Sequence, residues 1–285
     1  MANLFSLPNC ITGLNLISGV VSIIFAFAGR LELAVAAIFI GAIFDFFDGM
    51  VARITNQQGE LGKQLDSLAD IVTFGVAPGV LVFILLIISG VVDQLLVLEL
   101  PISELWKEGT MGYSVQYWVA VFLNQIAGNQ HPEYPAFFSL WQLVLPFGAL
   151  LIPFFSLFRL AKFNIDTRQS ESFIGLPTPA NSIFFASFAL MLWDGFGAEN
   201  WKSALSLTLI KDQVLMTFVI VFSVLLVSEI PLFSLKFKSF GWRGNEVKLS
   251  FLLLSLFLLS ILWVWAVPVI VILYIVISLL ANRKA

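Results

Sequence analysis

The sequence is poor in the residues that build most metal and nucleophilic sites of proteins. It has one cysteine and one histidine among 285 residues. The single cysteine, Cys10, cannot form an intrachain disulfide, and a zinc site built on several cysteine or histidine ligands is excluded. The lone histidine, His131, lies in a polar segment, so we assign it no catalytic role and expect no Ser-His-Asp triad.

Charged residues are scarce as well, at 12% of the chain, and no run of basic residues occurs. Proteins that bind nucleic acid neutralise its phosphates with clustered lysine and arginine side chains. This composition and the net charge of −3 therefore argue against nucleic-acid binding. The chain is instead rich in apolar residues, since 59% are hydrophobic and the mean hydropathy is +0.97. These values predict an all-α polytopic membrane protein.

The apolar segments predict about eight transmembrane helices in a single integral membrane domain, residues 1–285. Residues 1–9 contain no lysine or arginine, so we expect the first span to remain uncleaved. Residues 248–281 are too long for one span at a rise of about 1.5 Å per residue, and Pro268 is expected to divide them. Five other spans are expected at about 9–28, 31–54, 63–89, 137–164 and 213–233, with a kink at Pro78 in the third of them. A further span follows residues 172–181 and ends near residue 193.

The basic residues predict that the N- and C-termini are both cytoplasmic. Cytoplasmic loops carry an excess of lysine and arginine, and this orientation assigns 11 of the 15 basic residues to the cytoplasmic side. Residues 90–135 then form a long acidic loop on the other side of the membrane, to which we assign no role. Within this loop, the aromatic segment 115–126 is expected to lie along the membrane interface.

Four aspartates lie in or beside segments that are apolar enough to cross a bilayer: Asp45, Asp48, Asp66 and Asp70. A carboxylate at membrane depth costs at least about 2.5 kcal/mol, so such residues are candidates for a functional site. The first two are three residues apart and the last two are four apart, so each pair shares one helix face. Only Arg53 and Lys63 are nearby in sequence, which predicts a bound divalent cation. All-oxygen ligands favour Mg²⁺, Mn²⁺ or Ca²⁺ over Zn²⁺.

The spacing of these aspartates forms a longer pattern. It reads Asp45-x-x-Asp48-Gly49-x-x-Ala52-Arg53, then eight residues, then Gly62-x-x-x-Asp66-x-x-x-Asp70. This pattern resembles the complete signature of the CDP-alcohol phosphotransferase family. The resemblance implies an enzyme that transfers a phospho-group from a CDP-linked donor to an alcohol, with CMP as the leaving product. It also implies two Mg²⁺ or Mn²⁺ ions, a homodimer, and a site that faces the cytoplasm of a bacterial-type inner membrane.

The resemblance further implies a role for individual residues. Asp45, Asp48 and Asp66 would bind metal, and Asp70 would be the catalytic base and also contact the second ion. The CDP-linked lipid would be bound by Asn9, Thr12, Gly49, Ala52, Arg53, Gly59 and Gly62. The family often has Ser or Thr at the position of Gly59, so one phosphate contact is expected from its backbone or from Thr55.

Polar residues at the start of the first span have two interpretations. Asn9 or Thr12 could cap the helix, or they could belong to a Pro8-Asn9-x-x-Thr12 motif that resembles the CDP-binding entry motif of the family. Asn15 is open to both interpretations.

Later segments resemble the branch of the family whose acceptor is serine. They are residues 64–70, 74–78, 159–164, 175–180 and 228–231. The implied reaction transfers the phosphatidyl group of CDP-diacylglycerol to L-serine. Arg159, Lys162 and Asn164 are then candidates for serine binding, although basic residues also commonly end cytoplasmic helices. Glu229 is expected inside a late span, where it caps a helix or pairs with a lysine.

Two other functions stay open at this point. Glycerol 3-phosphate or inositol phosphate could replace serine as the acceptor, with Arg159, Lys162 and Arg168 binding the added phosphate. The four aspartates could instead form the ion site of a cation transporter, although that function leaves Gly49 and Arg53 without a role.

Overall fold

The computed structural model describes residues 4–105, 110–129, 137–166, 172–196, 200–233 and 245–282. His131 and Arg168 lie outside these residues. The described parts of the chain form twelve α-helices and one small antiparallel sheet. The elements are α1 (Leu7–Phe27), α2 (Leu31–Ile54), α3 (Glu60–Asp70), α4 (Ala77–Val97), α5 (Met111–Ile126), α6 (Leu140–Val144), α7 (Leu151–Ile165), β1 (Ser172–Ile174), α8 (Thr178–Gly195), α9 (Trp201–Leu209), α10 (Asp212–Val227), β2 (Pro231–Phe233), α11 (Glu246–Leu262) and α12 (Ala266–Asn282).

The first two helices closely follow the predicted spans. Helix α2 has the predicted bounds, and α1 begins two residues earlier than expected. The N-cap of α1 is Ser6, whose hydroxyl accepts a hydrogen bond from the backbone N–H of Asn9, and Pro8 lies in the first turn of this helix. The capping interpretation of Asn9 and Thr12 is therefore wrong, because Ser6 has that role.

The third predicted span is a longer helical segment, Glu60–Val97, with an irregular turn in its middle. Residues Ile71–Val76 form a π-helical turn directly after Asp70, in which the N–H of Ala77 bonds to the carbonyl of Val72. Pro78 has no N–H to donate to the carbonyl four residues earlier, and the wider turn lies where that bond would be missing. The irregularity predicted at Pro78 thus occurs one turn nearer to Asp70.

Helices α1 and α2 meet this π-helical turn at two glycines. A Cβ atom on Gly19 would lie 2.6 Å from Thr73 Oγ1 and 2.8 Å from Thr73 Cα. On Gly41, a Cβ would lie 2.5 Å from Thr73 Cγ2. The Thr73 hydroxyl donates a hydrogen bond of 2.8 Å to the carbonyl of Asn15. The two glycines therefore allow α1 and α2 to approach the turn that follows Asp70.

Substitution of Gly19 by alanine should destabilise the protein. The new methyl group would overlap backbone atoms of Thr73, and overpacking of this kind costs about 1–3 kcal/mol. Thermal unfolding of the detergent-solubilised Gly19→Ala variant should show a lower Tm than the wild type. Gly13→Ala is the matched control, because Gly13 lies on the same helix and a Cβ there would have no neighbour within 4 Å. Equal Tm values for the two variants would contradict this packing.

The segment expected to be a long loop contains a packed helix, α5. Its residues Val115, Trp118 and Phe122 are fully buried. The Trp118 indole donates a 3.0 Å hydrogen bond to the carbonyl of Leu105, and the Gln125 amide bonds both backbone groups of Phe138. Much of this segment is thus part of the helical core, and α5 is not a helix that merely lies on a surface.

The structure corrects the end of the span predicted at 213–233. Helix α10 ends at Val227, and β2 pairs with β1 in antiparallel register, Phe173 opposite Leu232. Glu229 lies beyond the helix and is exposed, so its expected place inside a span is wrong. It does pair with a lysine, since its carboxylate lies 3.1 Å from Lys162 Nζ.

The C-terminal residues form two helices, as predicted, but the break is not at Pro268. It lies at Trp263–Trp265, where Trp263 has a positive φ of 52°. The rings of Phe251 and Tyr274 lie 5.9 Å apart. Residues so distant along the chain can touch only if α11 and α12 fold back on each other. Pro268 is accommodated in the first turn of α12.

The helices confirm an all-α polytopic membrane fold. Among the described residues, five segments are long and apolar enough to cross a membrane: Leu7–Phe27, Leu31–Ile54, Glu60–Val97, Leu140–Ile165 and Glu246–Leu280, the last of which contains both α11 and α12. The pair α9 and α10, bent by 58°, forms a sixth if it is taken as one span. The number of eight spans and the side of each terminus stay predictions.

Candidate active site

The ends of α2 and α3 bring three of the four aspartates together. Asp45, Asp48 and Asp66 each offer a carboxylate oxygen, and these oxygens all lie within 4.8 Å of one another. Asp45 and Asp48 lie on one face of α2, and Asp66 reaches them from α3. The convergence predicted from the spacing is therefore present in the fold.

Asp70 lies one turn after Asp66 and is buried, with 7% of its surface exposed. It interacts electrostatically with Asp45 and Asp66, and its Oδ1 accepts a 3.0 Å hydrogen bond from Nδ2 of Asn15. Asp70 is thus beside the trio and not part of it. Its carboxylate is oriented from α1, and this contact gives Asn15 a place in the site that the sequence left open.

Helix α1 also orients Asp48. The Thr12 hydroxyl lies 2.6 Å from Asp48 Oδ2 and 3.1 Å from the carbonyl of Pro8. The carboxylate of Asp48 is the stronger acceptor of the two when it is ionised. Thr12 and Asn15 are three residues apart on one face of α1. One helix face therefore positions two of the four aspartates.

The trio is compatible with a divalent cation. Three carboxylates at this distance repel one another unless a positive charge lies between them. Nearby lysines have other partners, since Lys63 donates to the carbonyl of Asn164 and Lys162 pairs with Glu229. An all-oxygen donor set of this kind suits Mg²⁺ or Mn²⁺. The residues present thus fit the metal that the sequence predicted.

Two cavities meet at the aspartates. The first has a volume of about 270 Å³ and lies beside α1, and we call it the α1-side cavity. The second has a volume of about 260 Å³, lies beside α8, and is called the α8-side cavity. Asp48 lines the first, Asp45 and Asp70 line the second, and Asp66 lines both. The acidic cluster therefore separates two spaces that can each hold part of a substrate.

The α1-side cavity contains all seven residues predicted to bind the CDP-linked lipid. They are Asn9, Thr12, Gly49, Ala52, Arg53, Gly59 and Gly62. The guanidinium Nε of Arg53 donates a 3.0 Å hydrogen bond to the carbonyl of Gly49, which holds the cation against the cavity wall. A Cβ on Gly59 would have no neighbour within 4 Å, so a larger side chain would fit there. Gln57 and Gln58, which were not predicted, also line this cavity. Their position between the two halves of the signature is the sequence feature that could have indicated them.

The α8-side cavity contains one of the three predicted serine contacts, Arg159. This residue is 4% exposed, its Nε donates to the carbonyl of Leu176, and its guanidinium lies 5.2 Å from the ring centre of Phe163. Lys162 pairs with Glu229 and does not line this cavity. Thr178 lines it and was not predicted as a site residue, although it lies in the segment 175–180 that resembles the serine branch.

Asn164 was predicted to lie close to the serine site, and its side chain bonds Ser67, which lines the α8-side cavity. Its Nδ2 donates a 2.7 Å hydrogen bond to the hydroxyl of Ser67, and its carbonyl accepts from Lys63. These bonds tie the end of α7 to α3. Asn164 therefore connects the two helices that carry Arg159 and Asp66, and the structure does not place it in the cavity lining.

The fold and the site together define a polytopic membrane protein with an acidic, metal-compatible centre between two cavities. Residues 5–124 match the model of the CDP-alcohol phosphatidyltransferase family. A relative from Bacillus subtilis (strain 168) is 30% identical over 186 residues, which are 65% of this chain and 73% of that protein. The chain belongs to the CDP-alcohol phosphatidyltransferase family.

Other relatives extend the similarity beyond the residues of the family model. A protein of Mycobacterium leprae (strain TN) is 30% identical over 237 residues, which cover 81% of this chain but 59% of that longer relative. A protein of Helicobacter pylori (strain ATCC 700392 / 26695) is 27% identical over 255 residues, which cover 89% of this chain and 81% of that protein. These two relatives and the Bacillus protein are each named CDP-diacylglycerol–serine O-phosphatidyltransferase.

Proposed function

We propose that this protein transfers the phosphatidyl group of CDP-diacylglycerol to the hydroxyl of L-serine, which yields phosphatidylserine and CMP. The observation that carries the proposal is that the aspartates lie between two cavities. An in-line displacement needs the attacking and the leaving oxygen on different sides of the phosphorus. The α1-side cavity would hold the CMP part of the donor, and the α8-side cavity would hold the acceptor.

The donor site follows from the residues of the α1-side cavity. Arg53 offers a cation to the pyrophosphate, and Asn9 together with the neighbouring glutamine side chains offers amide groups to the nucleotide. Gly49 and Gly62 leave the wall free of side chains, so that the pyrophosphate can approach the aspartates.

The four aspartates have two roles, metal binding and acceptance of a proton. Asp45, Asp48 and Asp66 would hold two Mg²⁺ or Mn²⁺ ions, with Asp70 also contacting the second ion. When bound, the ions neutralise the pyrophosphate and stabilise the charge on its oxygens. Asp70 accepts the proton of the serine hydroxyl. The serine oxygen forms a bond to the phosphorus that bears diacylglycerol, and the bond from that phosphorus to the bridging oxygen of CMP breaks.

An apolar groove of the protein lies next to the α8-side cavity and could hold the lipid part of the donor. The groove has a volume of about 510 Å³ and is formed by side chains of α2, α8, α11 and α12, among them Phe39, Ile183 and Tyr274. It shares Pro177 and Pro179 with the α8-side cavity. We assign an acyl chain of CDP-diacylglycerol to this groove, because a diacylglycerol that leads away from the reacting phosphorus needs an apolar path.

The arrangement in the membrane is part of the proposal. We propose one integral membrane domain with eight spans, both termini in the cytoplasm, and a site that opens to the cytoplasm of a bacterial-type inner membrane. The support is the distribution of lysine and arginine and the water-soluble nature of CMP and serine. A homodimer is proposed from the family resemblance alone.

Arg159, and not Lys162, should bind the serine carboxylate, because Arg159 lines the cavity that contains Asp70. Loss of a charged hydrogen bond costs about 1.5–3 kcal/mol, so Arg159→Ala should raise the KM for serine about 10- to 100-fold. Lys162→Ala should raise it by about threefold at most, since that side chain already pairs with Glu229. Steady-state kinetics with varied serine would measure both values. The reverse order would move the carboxylate site to Lys162.

The reaction itself is tested with purified protein in detergent that contains CDP-diacylglycerol, a divalent cation and radiolabelled serine. Labelled, lipid-soluble product and an equal amount of CMP are expected. Parallel reactions with labelled glycerol 3-phosphate and inositol phosphate should give no product. Product with either of these and not with serine would keep the family chemistry and replace the acceptor. Turnover with none of the three, from protein that is folded and binds metal, would favour an ion site without transferase activity.

A further inference from the structure

Residues 175–180 and 228–231, two of the segments that resemble the serine branch, are in direct contact in the fold. The backbone N–H of Gly175 donates a 2.8 Å hydrogen bond to the carbonyl of Ile230. This bond continues the antiparallel pairing of β1 with β2 beyond its last pair of residues. The segment that follows α10 therefore holds the turn that precedes α8.

The same turn contacts Arg159 through Leu176, which is bonded on both sides. The N–H of Leu176 donates a 3.0 Å hydrogen bond to the carbonyl of Leu225, in the last turn of α10. The carbonyl of Leu176 accepts the 3.2 Å bond from Nε of Arg159. Asp166 and Tyr274 also interact electrostatically with the buried guanidinium. A chain of hydrogen bonds thus connects the end of α10 to Arg159.

Ser228, the first residue of the segment 228–231, lies at the other end of this chain. It is the C-cap of α10, and its hydroxyl donates a 2.8 Å hydrogen bond to the carbonyl of Leu225. That oxygen also accepts from the N–H of Leu176, and its two lone pairs allow both bonds. Carbonyls at a helix end lack partners within the helix, so the Ser228 hydroxyl helps to fix the acceptor on which Leu176 depends.

Gly175 permits the close approach of the turn to α10. Its φ is +78°, and a Cβ there would lie 2.7 Å from the carbonyl oxygen of Leu226 and 2.8 Å from that of Ser228. Both the left-handed backbone and the lack of space disfavour a side chain at this position. A larger residue would displace the turn from α10, and the carbonyl of Leu176 would move with it.

We propose that Gly175 and Ser228 are positioning residues for Arg159 and thereby set the affinity for an acceptor that bears a carboxylate. The inference rests on the proposed function and deepens it. A guanidinium binds a carboxylate best through two parallel bonds in one plane. The bond from Nε to Leu176 restricts the rotation of that plane. Because Asp70 lines the same cavity, a fixed guanidinium also fixes the distance between the sites for the carboxylate and the hydroxyl of the acceptor.

The test measures Tm, the KM for serine and the KM for CDP-diacylglycerol in the wild type, Gly175→Ala and Ser228→Ala. Gly175→Ala should raise the KM for serine about 10-fold or more, up to the effect of Arg159→Ala. Ser228→Ala should raise it about 3- to 10-fold, as expected for loss of a neutral hydrogen bond. The KM for CDP-diacylglycerol should change by less than about twofold, since neither residue lines the α1-side cavity. Ser228→Thr keeps the hydroxyl and should retain the wild-type KM for serine.

Glu229→Gln is the control on the same segment. Its ion pair with Lys162 is partly exposed and contributes little, so this variant should change the KM for serine by less than about twofold. Gly175→Ala and Ser228→Ala are also combined with Arg159→Ala. Neither should then raise the KM for serine by more than about a further twofold, because the residue that they position has been removed.

The outcomes separate the two levels of the proposal, and Ser228→Ala decides if Gly175→Ala does not fold. A wild type that incorporates serine, with a Ser228→Ala variant of equal KM for serine, would overturn this inference and leave the proposed function intact. Full losses in the Arg159→Ala background would also overturn it, because the two residues would then support the cavity in general. A loss in Ser228→Ala that Ser228→Thr shares would exclude the hydroxyl as its cause. A wild type that does not incorporate serine would remove the proposed function, and this inference with it.

Discussion

Replacement of Asp70 by asparagine should lower the rate of phosphatidyl transfer by roughly 10²–10⁴-fold, the usual contribution of a general base. Asparagine has the shape of aspartate, so the bond from Asn15 to Oδ1 can persist and the fold should be retained. The lost property is the ability to accept the proton of the attacking hydroxyl. Incorporation of labelled serine into lipid measures the rate, and the shift in Tm produced by CMP reports donor binding, which should persist.

Asp93→Asn is the matched control for this variant. Asp93 lies in the same helical segment, 23 residues further on, which corresponds to about 34 Å at the usual rise of a helix. It should keep the activity of the wild type. If Asp70→Asn lowered the rate by less than about tenfold, the loss would be smaller than that expected for removal of a general base, and another group would accept the proton.

Removal of the metal should have an equal or larger effect. Stabilisation of charge by bound ions supplies several kcal/mol, so EDTA should lower the rate by about 10³-fold or more, and added Mg²⁺ or Mn²⁺ should restore it. Asp66→Asn should reproduce the loss without EDTA, because Asp66 belongs to the trio and lines both cavities. Electron paramagnetic resonance of Mn²⁺ would measure binding independently of activity.

Glu60→Gln is the control for the metal experiment. Glu60 is an exposed acid in the first turn of the helix that carries Asp66. Its substitution should leave both Mn²⁺ binding and turnover unchanged. If Asp66→Asn bound Mn²⁺ as tightly as the wild type, or if EDTA had no effect, the assignment of the trio as a metal site would be wrong.

The acidic centre could be predicted from sequence because it depends on local spacing. Asp45 and Asp48 share a helix face whatever surrounds them, and so do Asp66 and Asp70. The apolar residues around them predict the helices, and the short connection between α2 and α3 allows the two pairs to meet. The seven predicted lipid contacts in the α1-side cavity belong to the same local pattern or to the facing start of α1.

Contacts between distant parts of the chain were not predictable in this way. The segment 213–233 is largely apolar, and no local pattern shows that its last residues pair as a strand with residues near 173. Lys162 was expected to be available to a substrate because its own helix has no acidic partner for it. Glu229, 67 residues away, supplies that partner. The bonds of Leu176 to Leu225 and to Arg159 likewise become visible only when the fold is known.

The length of α4 has a consequence for how the donor reaches the site. Its 21 residues correspond to about 31 Å of helix, which already matches a hydrocarbon core of about 30 Å. In the proposed membrane arrangement, helix α3, with Asp66 and Asp70, continues beyond that length and would lie at the depth of the lipid headgroups. A donor lipid can then react without leaving the bilayer. Its relevant concentration is its mole fraction in the plane of the membrane, so dilution with inert lipid slows the reaction even when the amount of donor per volume is constant.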